Sequence, residues 1–327
     1  MGGAVGLGAV LAACGDSDSK DSGSTGSKSA DAGPWSFKDD RGQTAEAKSV
    51  PKNIVAFTGV AAALHDYGVE VKAVFGPTKA ANGKADVQAG DLDISKVEIL
   101  GNVWGEFNVE KYAALGPDLL VTAMWEKDAL WYVPDASKDK ILKLVPSVAL
   151  WAAQTTIPQA IQRHEDLAAS LGADVKAKAA TDAKARFEKA AARLRAAAKS
   201  KPNLKVMIGS ASQDLFYVSL AKMSADTLYF QELGVKFVEP KVDAAGFFES
   251  LSWENVDKYG ADIIMMDNRS SALQPDALTS KPTWTQLPAV KAGQVIPRTT
   301  EPIYSYDKCA PILEDLAKAI EDAKKTA

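Results

Sequence analysis

Cysteine and histidine are scarce in this chain, with two of each in 327 residues. Two cysteines are too few for a disulfide framework, so a hydrophobic core must hold the fold. His65 and His164 fall in separate helical patterns and cannot build a several-histidine site for bare Zn²⁺ or Mn²⁺. A large excess of either charge is also missing. Lys and Arg number 38 against 42 Asp and Glu, a net charge of −4. That balance carries neither the basic footprint of a nucleic-acid binder nor an acidic disordered block. No apolar run is long enough to cross a bilayer. The chain has no phosphate-cradling Gly loop, no Gly-x-Ser-x-Gly elbow and no His-Glu-x-x-His helix, so no nucleophile is nominated with its base.

What is present describes a globular protein of two ordinary domains, 46% hydrophobic and 24% charged. Residues 1–14, MGGAVGLGAVLAAC, are small and apolar. Their ending, Leu11-Ala12-Ala13-Cys14-Gly15, resembles the lipobox of bacterial lipoproteins, in which the Cys becomes the lipidated N-terminus after signal cleavage. The run lacks the basic residues that open a signal peptide, which puts the expected translation start upstream. Residues 15–34 are Gly-, Ser- and Asp-rich and read as a flexible tether. The lone Cys309 reads as a small buried hydrophobe.

The chain is organised around an Ala-rich stretch from about Asp174 to Ser200. Ala179, Ala183, Phe187, Ala190, Leu194 and Ala198 recur every three or four residues, one stripe of a helix about 40 Å long. Asp174 is the expected N-cap, and Pro202 ends the helix. With an α/β-patterned half on each side, it reads as a rigid strut, residues 173–201, between lobes 35–172 and 202–327. One long surface helix of a single domain would show the same pattern.

Along the first lobe, Trp35–Gly42 reads as a hairpin, and Ile54–Phe57, Val71–Phe75, Leu119–Thr122 and Leu142–Val148 read as strands. Helices are expected at Val60–Tyr67, Asn108–Leu115 and Pro158–Leu171, and a long loop at 78–97. His164, beside Glu165 and Asp166, reads as part of a solvated face. In the second lobe, strands are expected at Leu204–Gly209, Lys236–Val238, Ala261–Met266 and Gln294–Ile296. Helices are expected at Ser224–Leu233, Ser252–Gly260, Thr283–Val290 and Ile312–Lys325. Strands alternating with helices in both halves predict an α/β fold of two lobes with mainly parallel sheets.

The halves echo each other. Residues 108–121, NVEKYAALGPDLLV, and 252–265, SWENVDKYGADIIM, share a Glu, a short helix, a turn, an Asp and an apolar strand. These motifs resemble bacterial substrate-binding proteins for iron siderophores and cobalamin, and the likeness covers about residues 35–325. It implies the class III periplasmic-binding-protein architecture, in which two lobes and one long helix hold a ligand in a shallow cleft with little closure. It further implies that Glu110 and Glu254 dock onto Arg residues of an ABC permease. Without the resemblance, both Glu could simply favour the helix macrodipole. The implied protein is a monomeric, non-enzymatic, lipid-anchored receptor on the extracellular face of the cell membrane, with no resident cofactor and no protein-held metal.

In open α/β sheets ligands sit beyond the carboxyl ends of the strands. Aromatic and polar residues expected there are Phe57, Thr58, Trp104, Trp125, Trp131 and Tyr132 in the first lobe. The second lobe offers Gln213, Phe216, Tyr217, Phe247, Phe248, Arg269 and Tyr304, with Tyr306 nearby. Trp104, Trp125 and Trp131 stand out because they fall in loop-like sequence. Arg269 follows an apolar strand directly and could fork hydrogen bonds to chelate oxygens, or pair with Asp267 on the surface. Siderophore-binding relatives use an Arg and Tyr residues in this way. One Arg among many aromatics suits a neutral or singly charged chelate, so the resemblance points to a ferric hydroxamate of the ferrioxamine or ferrichrome kind. The Ala-rich composition, similar to actinobacterial relatives, leans toward ferrioxamine. Cobalamin or haem, the latter with Tyr304 as axial ligand, is the alternative within the fold. A cell-surface enzyme with a two-lobed α/β fold, or a sensor or adhesion lipoprotein that uses the fold without transport, are the alternatives of other function.

Overall fold

A computed structural model of the chain describes residues 33–242 and 246–327. Cys14, the apolar stretch before it and all of the tether but Gly33 and Pro34 lie outside the described residues.

Strands β1 (Trp35–Lys38) and β2 (Thr44–Ala47) form the expected antiparallel hairpin. The first large sheet follows, from β3 (Ile54–Phe57), β4 (Ala73–Phe75), β5 (Glu98–Ile99), β6 (Leu119–Met124) and β7 (Ser147–Trp151). Its order is β5-β4-β3-β6-β7, and every pairing is parallel. β3, β4 and β6 are buried along their whole length, as strands covered on both faces are, whereas the edge strand β5 carries the exposed Glu98. The helices of this half are α1 (Thr58–Asp66), α2 (Val109–Ala114), α3 (Lys138–Leu142) and α4 (Ile157–Ser170). Asn108 caps α2 by accepting from the Lys111 amide at 2.9 Å.

Residues 142–148, expected as a strand, divide instead: Leu142 ends α3 and β7 begins only at Ser147. Pro146 stands between them and cannot donate to a ladder, and pairing of Ala149, Leu150 and Trp151 with β6 draws the strand onward.

The long helix α5 (Lys178–Ser200) is 23 residues, about 35 Å. It starts later than expected because Asp174 spends its carboxylate on a local turn, accepting from the Lys176 amide at 3.1 Å. In its first turns Ala179 is exposed and Ala183 half-buried, while Phe187, Ala190, Leu194 and Ala198 face the core as the stripe requires.

The second sheet contains β8 (Lys205–Ala211), β9 (Leu215–Ser219), β10 (Lys236–Phe237), β11 (Phe248–Ser252), β12 (Ile263–Asp267) and β13 (Val295–Arg298), in the order β11-β9-β8-β12-β13 with β10 also on β8. β10, β8, β12 and β13 are parallel, whereas β9 and β11 add an antiparallel edge. Sequence reading missed that pair, because Leu215-Phe216-Tyr217-Val218 is apolar or aromatic throughout and only in the structure does its burial alternate, with Phe216 and Val218 inward. Helix α6 (Ala225–Glu232) matches its expected span. The segment after Ser252 is a 3-10 helix, Trp253–Lys258, rather than an α-helix. Short helix α7 (Pro275–Leu278) was not expected, and the expected helix at 283–290 is two pieces, α8 (Pro282–Gln286) and α9 (Pro288–Lys291). Pro288 pushes Leu287 to extended backbone, φ −57° and ψ 133°, and so separates them. The last helix, α10 (Tyr306–Asp322), starts a turn and a half earlier than expected, because Ser305 caps it by accepting from the Lys308 amide and Pro311 is carried inside.

Packing joins the halves. α10 lies along α5, and Phe187 of α5 contacts the rings of Tyr229 and Tyr306, with centroids 6.0 and 5.5 Å away. One buried apolar cluster runs from the first sheet through α5 and α10 to the near face of the second sheet, where it takes Val206, Ile208, Ile263 and Met265. Met207, Ile264 and Met266, one residue out of step, serve a separate cluster on the far face. His164 belongs to this interior, only 1% exposed, and not to a solvated face. Its Nδ1 bonds the Ala160 carbonyl at 2.8 Å, and burial lowers its pKa to about 4. Cys309 is fully buried, its thiol donating to the Ile303 carbonyl at 3.3 Å.

Candidate ligand-binding cleft

The carboxyl ends of both sheets open on one cavity of about 720 Å³. From the first half come Trp104 and Gly105 and the loop after β6, Trp125 to Ala136. From the second come Ser219 at the end of β9, Met223, Ser224, Phe247, Phe248, Arg269 beyond β12, and Arg298, Thr300 and Glu301 at and beyond the end of β13.

One wall is aromatic. Trp131 meets Trp104 edge-on at 4.8 Å between centroids, Trp125 at 5.9 Å and Tyr132 at 5.8 Å. Trp104 is the outermost, 63% exposed, an unusual position for so large an apolar surface unless something covers it. Tyr132 stands on left-handed backbone, φ 58°, and Asp128 of the same loop at φ 62°. Bulky residues avoid that region, so the loop is held there by its packing. Phe57 provides it from below, stacked on Tyr132 at 5.5 Å. Burial first, then the Glu301 charge, push the Tyr132 phenol up to about 12, which keeps it a hydrogen-bond donor at neutral pH.

The opposite wall is charged but internally paired. Arg269 donates from Nε and Nη2 to Asp267 at 3.0 and 2.7 Å and from Nη1 to Glu301 at 2.7 Å. Ser210 also donates to Asp267, at 2.9 Å. Burial alone would raise the Asp267 carboxyl, yet Arg269 holds it below the usual range. Glu301 goes the other way: burial raises it against the pull of Arg269 and Trp131. Arg298 forks onto buried Asp226 with both bonds at 2.8 Å. Trp131 Nε1 donates to Glu301 at 3.1 Å, tying the aromatic wall to the charged one across the cavity.

Of the residues expected at a site, Trp104, Trp125, Trp131, Tyr132, Phe247, Phe248 and Arg269 line this cavity. The others lie elsewhere. Phe57 and Thr58 are buried beneath it, the Thr58 hydroxyl engaged with the Phe75 carbonyl and Thr78. Gln213 is in the exposed β8–β9 turn, where its carbonyl accepts from Trp253 and Lys281. Phe216 packs in the far-face cluster with Trp253 and Trp284, and Tyr217 backs Phe248 edge-on at 5.2 Å. Tyr304 is 6% exposed; its hydroxyl donates to the Ala152 carbonyl at 3.1 Å and its ring neighbours His164. It is a core residue, since the chain turns inward before α10, and a haem iron in the cavity has no access to it. Tyr306 is likewise buried, against Phe187.

Sequence reading missed Arg298, Thr300 and Glu301, although the rule that picked Arg269, a polar residue beyond an apolar strand, applies equally after β13. Among the described residues, no group of three or more His, Cys, Asp or Glu side chains is placed to hold a metal ion. No helix among them is long and apolar enough to cross a membrane. Glu110 and Glu254 are both exposed, each the second residue of the short helix before a central strand, β6 or β12.

Two α/β halves, a long helix joining them and a cavity at the shared carboxyl ends of the strands define a bilobal binding protein. The chain belongs to the periplasmic binding protein family, which it matches over residues 55–299. It is similar to DesE, a ferric-siderophore receptor protein from Streptomyces coelicolor, with 62% identity, a TM-score of 0.87, and 90% of this chain and 100% of that one covered. It is 25% identical over 195 residues to the Fe(3+)-citrate-binding protein YfmC of Bacillus subtilis (strain 168), covering 58% of this chain. That match spans just over half of the curated relative, 56%. Staphylococcus aureus SirA, solved with staphyloferrin B, shares the fold at 23% identity and a TM-score of 0.59, covering 88% of this chain and 99% of SirA.

Proposed function

We propose that the chain is the receptor of an ABC importer, binding a ferric siderophore in this cleft and delivering it to the permease without chemistry of its own. We place it on the extracellular face of the cell membrane as a monomer anchored by lipid on Cys14, with Glu110 and Glu254 as the permease contacts. The cargo is a hydroxamate chelate of the ferrioxamine kind, whose iron is wholly held by the siderophore.

The observation that carries the chelate type is the pairing of both cavity arginines. Arg269 and Arg298 are already committed to Asp267, Glu301 and Asp226, so no uncompensated cation awaits a highly charged catecholate. Trp104, Trp125, Trp131 and Tyr132 instead offer apolar surface to the hydrocarbon spacers of a neutral or singly charged hydroxamate. The likeness to a ferric-siderophore receptor at 62% identity supports the same class.

Tryptophan fluorescence tests this, because the wall itself is the probe. Titrating the chain with ferrioxamine B, ferrichrome, ferric enterobactin, haem and cobalamin should give saturable quenching by the hydroxamates alone. Arg269→Ala should then weaken binding about tenfold, because it strips Asp267 and Glu301 of their shared cation and leaves two unpaired carboxylates at the cavity. Tyr304→Phe should leave affinity within about twofold and cost about 1 kcal/mol of stability, the worth of one hydrogen bond. Quenching by haem or cobalamin and by no iron chelate would overturn the proposal.

A further inference from the structure

Glu301 borders the cavity yet is only 6% exposed. Each of its carboxylate oxygens accepts from nitrogen: Oε1 from Arg269 Nη1 at 2.7 Å and Oε2 from Trp131 Nε1 at 3.1 Å. Burial raises the Glu301 carboxyl, but an N–H on each oxygen, one of them from a guanidinium, opposes that and favours the ionised, acceptor-only form. Arg269 does not need it for neutrality, since Asp267 already takes Nε and Nη2. Glu301 is thus a second carboxylate on one guanidinium, and burying a surplus charge is costly where packing alone would do. The Asp267–Arg269–Glu301 group carries one net negative charge, while the Arg298–Asp226 pair carries none. The surplus sits where the two walls meet, and an anion reaching for Arg269 Nη1 finds Glu301 already there.

We propose that Glu301 determines the charge specificity of the cleft: its carboxylate, held between Arg269 and Trp131, excludes anionic ferric chelates and admits neutral and cationic ones. The identity of the ligand rests on the siderophore reading above; the charge rule does not. Glu126 and Asp135 also border the cavity but are exposed, where water and salt screen them. A buried charge acts in a lower effective dielectric, so one unit changes the binding of a trianion far more than that of a neutral ligand.

Glu301→Gln in the full chain is the test, because it keeps the shape and an oxygen to accept from Trp131 or Arg269 while deleting the charge. The probes are ferrioxamine E, neutral; ferrioxamine B, a monocation; and ferric enterobactin, a trianion, each read by tryptophan quenching at low and physiological salt. The variant should gain about tenfold or more for the trianion, stay within about twofold for the neutral chelate and lose several-fold for the cation, with the differences largely persisting at physiological salt because the charge is buried. Glu301→Asp, which keeps the charge, should preserve the wild-type order of the three even if every affinity falls. Equal changes for all three chelates in Glu301→Gln, or a reordering by Glu301→Asp, would reduce Glu301 to a packing residue. If wild-type protein binds no hydroxamate, the ligand reading fails, and whether Glu301→Gln gains the trianion still decides the charge rule.

Discussion

Tyr132 shows how single residues shape the cleft. Its φ of 58° costs of order 1–3 kcal/mol for a non-glycine residue. The stack on Phe57 and the edge contacts with Trp104 and Trp131 hold it there. Gly76 makes room for that stack: at φ 99°, a Cβ would stand 2.6 Å from the Phe57 ring and 3.5 Å from Tyr132. His164 matters in a different way, through pH. Burial lowers its pKa from 6.5 to about 4, so the unfolded chain binds a proton between those values that the folded chain refuses. Stability must therefore rise with pH across that window and fall as pH drops from 6.5 toward 4, by about 3 kcal/mol for this one group. Carboxylates titrate in the same range, so the diagnostic is a difference. Unfolding free energy measured at steps from pH 7 to 4 should fall more steeply in the wild type than in His164→Gln. Parallel profiles would mean that His164 contributes nothing to acid sensitivity.

At the scale of elements, the α5–α10 pair is held by apolar side chains and decorated by ion pairs. Arg186 forks onto Glu314 and Arg193 onto Glu321, with bonds of 2.6–2.9 Å, but Arg186, Arg193 and Glu321 are exposed and Glu314 partly so. Exposed pairs of this kind are worth at most about 1 kcal/mol. Leu194, on the same helix, is fully buried, and truncating such a residue leaves a cavity costing about 2–5 kcal/mol. Leu194→Ala should thus lower the urea midpoint far more than Arg193→Ala, and the reverse order would contradict a packed interface. This contrast also explains what the sequence could disclose. The Phe187–Leu194–Ala198 stripe, the apolar parallel strands and the Asn108 cap were legible because local periodicity and short-range chemistry dictate them. The β9–β11 edge was overlooked because the run Leu215–Val218 carries no alternation of polarity, and the division of 142–148 depended on which residues β6 would pair with. Within the cleft, loop tryptophans and Arg269 could be named from position alone. Whether Tyr304 turns toward a ligand or toward Ala152 is decided by the path into α10, which no local pattern records. Glu301 looked like an ordinary loop acid because its partners, Arg269 and Trp131, are 32 and 170 residues away.

Across the whole molecule, the two sheets repeat one plan: β3 and β8 are flanked by β6 and β12, and a short helix with an exposed Glu at its second position precedes each of the latter. The Glu254 carboxyl is held below its usual range by its own backbone amide and Ser252, so it is ionised at neutral pH. Both acids stand apart from the cavity residues, which allows docking and ligand binding to be separated. If each half presents one carboxylate to a cationic site on a permease, reversing both charges should weaken that association strongly and with a marked salt dependence, since docking of this kind is electrostatic. The double variant Glu110→Lys, Glu254→Lys should then bind the ferric chelate within about twofold of wild type, because no ligand contact changes. It should nevertheless fail to stimulate ATP hydrolysis by the reconstituted transporter, with each single reversal giving a partial loss. Full stimulation by the double variant would assign both Glu to the helix macrodipole alone, an interaction of 0.3–1 kcal/mol that favours the helix and recognises nothing.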